Sequence, residues 1–190
     1  VPEIWIQVAK KTGIEGLRAT TRDIPDYNEL MRQRLELMDG NGLVLADIQA
    51  VIDDMGPLEG AEAFLNGIRE VTQVVILSDT FYEFARPLMR QLGWPTLFCH
   101  RLETDAAGSI TGYRLRIDDH KRQTVRALHG LNFNVAAVGD SYNDTGMLTE
   151  ADAGYLFLAP AKVVNEFPQF PVFDTYSELL SEVTRGLKDN

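Results

Sequence analysis

The sequence predicts an α/β fold, a doubly wound and mostly parallel sheet that carries a small helical cap region. From residue 71 onward, continuous apolar runs alternate with helical patterns. Such runs are typical of strands that are buried on both faces of a parallel sheet. Residues 1–70 show helical patterns without a convincing strand. We therefore predict a mainly helical cap region over residues 1–70 and an α/β core domain over residues 71–190.

The first 70 residues contain segments whose apolar residues recur at helical spacing. These segments are PEIWIQVAKKTG, DYNELMRQRLELMDGNG, LADIQAVIDDM and EGAEAFLNGIREV. A helical insert over a sheet edge is a common way to exclude water from a reactive site. The cap region is therefore expected to cover a site at the edge of the sheet.

The core begins with a predicted strand over VTQVVILSD (71–79). A predicted helix follows over FYEFARPLMRQLG (81–93), and Gly93 and Pro95 mark its end. TLFCHRLETD and SITGYRLRI then form a short β-pair with a glycine-containing turn. Thr175 and Glu178 have the spacing of a capping box for the last helix. The remaining segments of the alternation are DDHKRQTVRALHG, NVAAVGD, YNDTGMLTEA, AGYLFLA, AKVVNEF, FPVFD and TYSELLSEVTRGL.

The charge balance narrows the classes of partner. The 190 residues include 18 basic and 28 acidic side chains, for a formal net charge of -10. This charge would repel a nucleic-acid backbone, so we expect no nucleic-acid partner. The lone Cys99 cannot form an intramolecular disulfide, and no apolar run is long enough to span a membrane. We expect a cytoplasmic protein with no membrane partner, while its oligomeric state has no signal in the sequence.

The segment NVAAVGDSYNDTGM carries the densest chemical signal. Its apolar run ends at Gly139, which places Asp140 at the carboxyl end of a strand, where open α/β sheets bind their ligands. Asp140 and Asp144 together suit one Mg²⁺ ion, which prefers a few carboxylates plus substrate phosphate. The alternative is that Asp140 and Ser141 only cap the following helix. Capping explains neither Asn143 nor Asp144, so we favour the metal site.

Two further segments suit a phosphate ligand. Ser78, Asp79 and Thr80 end a strand just before a helix, where a hydroxyl and free backbone N–H groups converge. A capping box between Thr80 and Glu83 would explain the same residue types, and the sequence leaves these two interpretations open. Lys121 starts a later helix, where the helix dipole does not favour a cation. Most such lysines are solvated, but this unfavourable position indicates another role.

These segments together resemble motifs two, three and four of the haloacid dehalogenase superfamily of phosphatases. The similarity is greatest to the phosphoserine phosphatase family, and within it to the bifunctional phosphoserine phosphatase/homoserine phosphotransferase branch. Segments that carry it are TTRDIPDY, VVILSDTFYEF, PLMRQLGWPTL, GDSYNDTGML and EFPQFP. The resemblance implies a Rossmann-like sheet with an α-helical cap. It also implies Mg²⁺-dependent phosphoryl transfer from phosphoserine through an aspartyl-phosphate to water or homoserine.

The resemblance also implies roles for residues of the core. Asp140 would bind Mg²⁺ directly, and Lys121 and Ser78 would hold the phosphoryl oxygens. Asp144 would hold a metal-bound water or orient Lys121. Its alternative is an ordinary carboxylate on a helix surface.

Substrate recognition follows from the same resemblance. Glu3 would bind the substrate ammonium, although an acid in the first turn of a helix is favourable without any ligand. Arg34 would pair with the substrate carboxylate through its planar guanidinium. Arg32 lies two residues away on another helical face, so only one of the two can point inward. Asn143 and Asp79 would complete the polar lining, and Asp79 distinguishes this branch from ordinary phosphoserine phosphatases.

The first family motif, which supplies the nucleophilic aspartate and the general acid/base, is not found in residues 1–190. We expect a strand and a loop with this motif upstream of Val1, because loss of a central strand would leave buried edges. A rival hypothesis is a non-catalytic module that binds phosphate and metal without a nucleophile. A response-regulator-like receiver is a third, but the helical insert and the GDSYND turn argue against it.

The histidines and tryptophans show no spacing that indicates a site. His100, His120 and His129 are predicted to be surface or strand-end residues rather than ligands. Trp5 and Trp94 are predicted to pack in the core or the cap.

Overall fold

A computed structural model of the chain describes residues 4–20, 23–24 and 26–188. The helices are α1 (Ile4–Thr12), α2 (Tyr27–Gly40), α3 (Leu45–Met55), α4 (Ala61–Arg69), α5 (Tyr82–Gln91), α6 (His120–His129), α7 (Thr145–Glu150), α8 (Ala161–Glu166) and α9 (Tyr176–Lys188). The strands are β1 (Val75–Phe81), β2 (Thr96–Thr104), β3 (Ile110–Arg114), β4 (Ala136–Gly139), β5 (Ala153–Phe157) and β6 (Val172–Phe173). Short 3₁₀ turns cover Glu15–Arg18 and Tyr142–Asp144.

The strands form two three-stranded sheets. One has the order β1-β2-β3, in which β1 and β2 are parallel and β2 and β3 form the predicted antiparallel pair. The other has the order β4-β5-β6 and is parallel throughout. Helices connect the parallel strands, as parallel connections require. The predicted α/β fold class with mostly parallel strands is confirmed.

Helix boundaries follow local capping chemistry. The Asp26 carboxylate accepts the backbone N–H groups of Asn28 and Glu29 and so begins α2. The predicted capping pair at α9 is present, since the Thr175 hydroxyl accepts the Glu178 N–H at 3.3 Å. The same hydroxyl donates to the Glu178 carboxylate at 2.6 Å. Local sequence therefore determines where these two helices begin.

The chain divides into two compact units, each with its own apolar core. The first unit comprises residues 1–59 and 75–116, and the second comprises residues 60–74 and 117–190. In the first, α1, α2, α3 and α5 bury residues that include Val8, Met31, Ile48 and Phe84. In the second, Ile68, Tyr155, Leu179 and Val183 pack together. These bounds do not coincide with the boundary predicted at residue 70. The division into a cap region and a core domain therefore remains a prediction.

The two tryptophans differ in burial. Trp5 packs edge-on against Phe84, with ring centroids 5.5 Å apart, as predicted. The prediction for Trp94 is wrong, because its side chain is 59% exposed. Its backbone has a left-handed φ of 56° in the turn after α5, where its N–H donates to the Met89 carbonyl at 2.8 Å. Over the part of the chain that the structure describes, no helix has the length and apolarity needed to cross a bilayer.

Candidate active site

A tight turn after β4 builds the centre of the candidate site. β4 ends at Gly139, and the chain turns at once into the 3₁₀ segment Tyr142–Asp144. A Cβ atom on Gly139 would lie 2.3 Å from the Cβ of Asp144, which is closer than real side chains approach. Glycine is therefore required for Asp144 to fold back against the end of the strand.

Asp144 is buried, and its carboxylate holds the turn together. Its Oδ2 accepts the N–H groups of Asp140 and Ser141, each at 3.1 Å, and the Ser141 hydroxyl at 2.9 Å. Its Oδ1 accepts a hydrogen bond from Lys121 Nζ at 2.9 Å. Both oxygens thus have donors within the chain. The alternative of a helix-surface carboxylate is wrong, and the geometry suits the role of orienting Lys121.

Lys121 is buried in the first turn of α6. The alternative of a solvated lysine is wrong. A buried ammonium is costly unless it is paired, and the N-terminal end of a helix adds to that cost. Asp144 offsets the cost by an ion pair whose side chains are both 9% exposed. The pair keeps a positive charge fixed beside the turn, where it would attract an anionic ligand.

Asp140 is the open carboxylate of the turn. Its backbone N–H donates to Asp144, while its side chain is exposed and accepts no hydrogen bond from another described residue. Although the side chain is exposed, nearby protein atoms displace part of its hydration, and this desolvation raises the pKa of the Asp140 carboxyl. The nearby charge of Asp144 raises this pKa further. Ser141 is the residue that caps the 3₁₀ turn, so Asp140 is not needed for capping.

The residues fit Mg²⁺, which takes one or two protein carboxylates and completes its shell with water and phosphate oxygens. Within the described part of the chain, nothing else donates to the Asp140 carboxylate, so its oxygens are available as direct ligands. Asp144 has already committed both oxygens to donors of the chain. Asn143 is exposed beside them in the same turn.

Ser78, Asp79 and Thr80 lie on a bulge of β1. Leu77 pairs with Phe98 and Phe81 pairs with His100, so β1 takes four residue steps where β2 takes two. Bulges of this kind redirect side chains and are frequent beside active sites. The Ser78 hydroxyl accepts the Thr80 N–H at 3.3 Å.

The capping interpretation of this segment is wrong. Phe81 is the N-cap of α5 and makes no side-chain cap bond. The Glu83 carboxylate accepts the backbone N–H of Leu102 at 2.8 Å. Glu83 thus accepts a hydrogen bond from β2 instead of taking part in a capping box. The polar residues of the bulge remain candidates for binding a ligand.

Two of the three histidines were misjudged from the sequence. His100 and His120 are buried rather than at the surface. His100 lies inside β2, and its Nε2 is 4.0 Å from the Asp79 carboxylate. The signal that could have found it is a polar residue within the apolar run TLFCHRLET. His129 is half-buried and contacts Asp152 at 3.0 Å.

Arg34 and Arg32 lie on different faces of α2, as their spacing of two residues requires. Arg34 is buried, with its guanidinium 4.5 Å above the Trp5 ring and one N–H donated to the Ala19 carbonyl at 2.8 Å. Arg32 is exposed and pairs with two acids of its own helix, Glu29 and Glu36. Arg34 is therefore the inward-facing arginine of α2. Glu3, the predicted ammonium ligand, lies outside the described residues.

Tyr27 lies near Arg34 and was not identified from the sequence. Burial raises the pKa of the Tyr27 hydroxyl to about 12, and the charge of Arg34 acts in the opposite direction. The predicted site residues thus form two groups. Lys121, Asp140, Asn143 and Asp144 belong to the second unit, whereas Arg34, Ser78 and Asp79 belong to the first.

Comparison with known proteins agrees with these motifs. A family model described as haloacid dehalogenase-like hydrolase matches residues 2–152. The chain belongs to the haloacid dehalogenase-like hydrolase family. This haloacid dehalogenase-like hydrolase is 63% identical, over 98% of its own length and 78% of the relative's, to a phosphoserine phosphatase of Pseudomonas syringae pv. tomato. It is 61% identical, over 98% of its length and 91% of the relative's, to the phosphoserine phosphatase ThrH of Pseudomonas aeruginosa.

A solved structure shares the fold of this hydrolase. The phosphoserine phosphatase of T. onnurineus superposes with a TM-score of 0.69 at 20% identity, covering 96% of this chain and 87% of the other. The resemblance stated from the motifs is confirmed, as is the prediction that the chain is an enzyme of this family.

Proposed function

We propose that this hydrolase is a Mg²⁺-dependent phosphatase that acts on phosphoserine through an aspartyl-phosphate and transfers the phosphoryl group to water or homoserine. The observation that carries the proposal is the buried Lys121–Asp144 pair beside the open carboxylate of Asp140. A fixed cation next to a metal-binding carboxylate suits a phosphoryl group, whose transfer depends on positioning and charge neutralisation. The names of the two relatives above 60% identity support phosphoserine as the substrate.

Each residue of the turn has a distinct task in this proposal. The Lys121 ammonium would hold a phosphoryl oxygen, and Asp144 would keep that ammonium in place. Asp140 would hold Mg²⁺. Bound Mg²⁺ would supply positive charge that offsets the charge of the phosphoryl oxygens. The Ser78 hydroxyl would donate to another phosphoryl oxygen, because the bulge of β1 carries it out of the strand ladder.

The substrate groups also have complements in the chain. Phosphoserine carries a carboxylate, for which the guanidinium of Arg34 is suited, since its planar fork matches two oxygens. Stacking on Trp5 and the bond to Ala19 support Arg34 in one orientation. Glu3 would bind the ammonium group, and Asp79 and Asn143 would line the polar surface.

The proposal assigns the attacking aspartate and the general acid/base to the first motif of the family. We further propose a cytoplasmic setting, on the basis of the single cysteine.

A product assay tests the proposal. The full-length protein is incubated with phosphoserine and Mg²⁺, with and without homoserine, and the phosphorylated products are separated. We expect free phosphate without homoserine and phosphohomoserine with it. Phosphoserine binding without either product would favour the non-catalytic module and contradict the proposal. Free phosphate alone would remove only the transfer to homoserine.

A further inference from the structure

Three arginines of the first unit lie close together around the pair of strands β2 and β3. Arg101 of β2 is the direct cross-strand partner of Arg114 of β3. Directly paired residues of an antiparallel ladder share one face of the sheet, where two like charges are destabilising. Arg116 follows β3, and its Nε donates to the Cys99 carbonyl of β2 at 3.1 Å. Arg101, Arg114 and Arg116 thus form an arginine cluster in a chain whose net charge is -10.

The Tyr82 side chain contacts two members of the arginine cluster. The Arg101 guanidinium carbon lies 5.1 Å from the centre of the Tyr82 ring, and that of Arg116 lies 5.9 Å from it. Arg116 Nη2 also donates to the Tyr82 hydroxyl at 3.0 Å, and this hydroxyl donates to the Leu97 carbonyl at 2.7 Å. The aromatic ring and the hydrogen bonds stabilise both cations near one another without neutralising their charge.

Two of the three guanidiniums have no acidic partner. Arg114 Nη2 lies 3.4 Å from a Glu103 carboxylate oxygen, and both of these side chains are exposed. Within the part of the chain that the structure describes, no carboxylate forms an ion pair with Arg101 or Arg116. Both hydrogen bonds of Arg116 go to neutral oxygens and use Nε and Nη2, so the N–H groups of Nη1 remain available to a ligand. Arg101 and Arg116 are exposed, and an anion can reach them from solvent.

We propose that the arginine cluster binds a phosphate group, either as inorganic phosphate or on a small phosphomonoester. A planar guanidinium with available N–H groups matches two phosphate oxygens at once. The two unpaired charges of Arg101 and Arg116 match the charge of about −1.5 to −2 that a phosphomonoester carries at pH 7. A bound anion also offsets the repulsion between Arg101 and Arg114. None of these residues has a role in the proposed function, and the inference does not rest on it.

Titration calorimetry on the full-length protein tests the inference. Inorganic phosphate and glycerol phosphate are titrated separately in the presence of EDTA, with sodium chloride of equal ionic strength as the blank. We expect saturable binding that Arg101→Gln and Arg116→Gln each weaken roughly tenfold or more, the loss of about one hydrogen bond to a charged group. The ligand that binds more tightly through these arginines identifies the source of the phosphate group. Phosphate bound through Lys121 would give a second event that these two substitutions leave unchanged.

Two control variants separate phosphate recognition from general charge. Arg116→Lys keeps the positive charge without the planar fork, so it should weaken binding nearly as much as Arg116→Gln. Arg32→Gln is the matched control, because Arg32 is an exposed arginine that already pairs with Glu29 and Glu36. It should leave the affinity within about twofold of wild type, as most surface substitutions have small effects. If Arg116→Gln does not fold, as judged by circular dichroism, Arg101→Gln retains the test, since Arg101 donates no hydrogen bond to another described residue.

Any of three results would overturn the inference. The first is wild-type protein that binds neither ligand beyond the sodium chloride blank. The second is an affinity that Arg101→Gln and Arg116→Gln leave unchanged, and the third is an equal loss of affinity in Arg32→Gln. None of these results bears on the proposed function, and a failure of the phosphoserine product assay would likewise leave the arginine cluster as it stands.

Discussion

At the scale of single residues, the site depends on one buried cation and its carboxylate partner. Lys121 and Asp144 are 23 positions apart in sequence and meet at 2.9 Å in the interior of the second unit. Removing one member of a buried pair is more costly than removing both, because the survivor remains desolvated. The two single substitutions therefore have different expected effects.

Substitution of Lys121 tests the phosphoryl-binding role. Lys121→Ala should lower kcat for phosphate release from phosphoserine by about a hundredfold or more, as expected for a group that offsets charge in the transition state. Lys10→Ala is the control, since Lys10 is an exposed lysine of α1. Normal turnover by Lys121→Ala would contradict the role.

Substitution of Asp144 tests its role in stability. Asp144→Ala leaves Lys121 without this partner and removes the acceptor of three further donors in the turn. A loss of about 3 kcal/mol is expected for a broken buried pair, which corresponds to a Tm lower by roughly 6–12 °C in a chain of this size. Asp39→Ala, an exposed acid of α2, should change the Tm by no more than about 2 °C. A similar Tm for Asp144→Ala would show that the carboxylate is not what holds the turn.

At the scale of elements, the junction between β4 and its 3₁₀ turn depends on Gly139. Gly139→Ala would place its methyl group 2.3 Å from the Asp144 Cβ, so the turn must move and the bonds to Asp144 must lengthen. We expect a lower Tm and a loss of phosphatase activity of at least about tenfold, since small displacements in a site are costly. Gly40→Ala at the end of α2 is the control, because no atom lies within 4 Å of the added methyl. Activity equal to that of Gly40→Ala would contradict the requirement for glycine.

A second junction depends on pH. Asp152, before β5, accepts the Val135 N–H at 2.7 Å and contacts His129 at the end of α6. The hydrogen bond from Val135 lowers the pKa of Asp152, and His129 lowers this pKa further. Because the folded pKa lies below the unfolded value of about 3.9, the stabilisation is present above that pH and is lost as the pH falls through the folded pKa.

Asp152→Asn removes the ionisable group from this junction. The Tm of wild-type protein should exceed that of Asp152→Asn at pH 7, and the gap should narrow between about pH 5 and pH 3. Asp39→Asn should show no such narrowing. A gap that is constant, or that widens on acidification, would contradict the assignment.

Sequence patterns predicted the order of the elements, because hydrophobic period and capping residues act locally. The predicted helix LADIQAVIDDM coincides with α3. The strand predicted over residues 71–79 begins instead at Val75 and runs to Phe81. The strand is displaced because it pairs with β2 and forms a bulge in that pairing. Both features depend on β2, so the sequence of the segment alone does not predict them.

At the scale of the whole molecule, this acidic chain buries basic side chains at specific positions. The net charge of -10 is countered locally by the buried Lys121 in the second unit and the buried Arg34 in the first. The resemblance to the family predicted roles for these two residues, and the GDSYND turn predicted Asp140 and Asp144. Motif spacing carried no signal for His100 or Tyr27, because their burial depends on contacts between distant segments.

The central claim is that Asp140 holds the metal ion of a phosphoryl-transfer site. The most direct measurement is the rate of phosphate release from phosphoserine as a function of Mg²⁺ concentration, for wild type, Asp140→Asn and the control Asp39→Asn. We predict no release by wild type in the presence of EDTA and saturation with Mg²⁺ for wild type and Asp39→Asn. For Asp140→Asn we predict a half-saturating Mg²⁺ concentration at least about tenfold higher, or no activity, since a neutral amide is a weaker ligand than a carboxylate. Equal Mg²⁺ dependence of Asp140→Asn and wild type would contradict the claim.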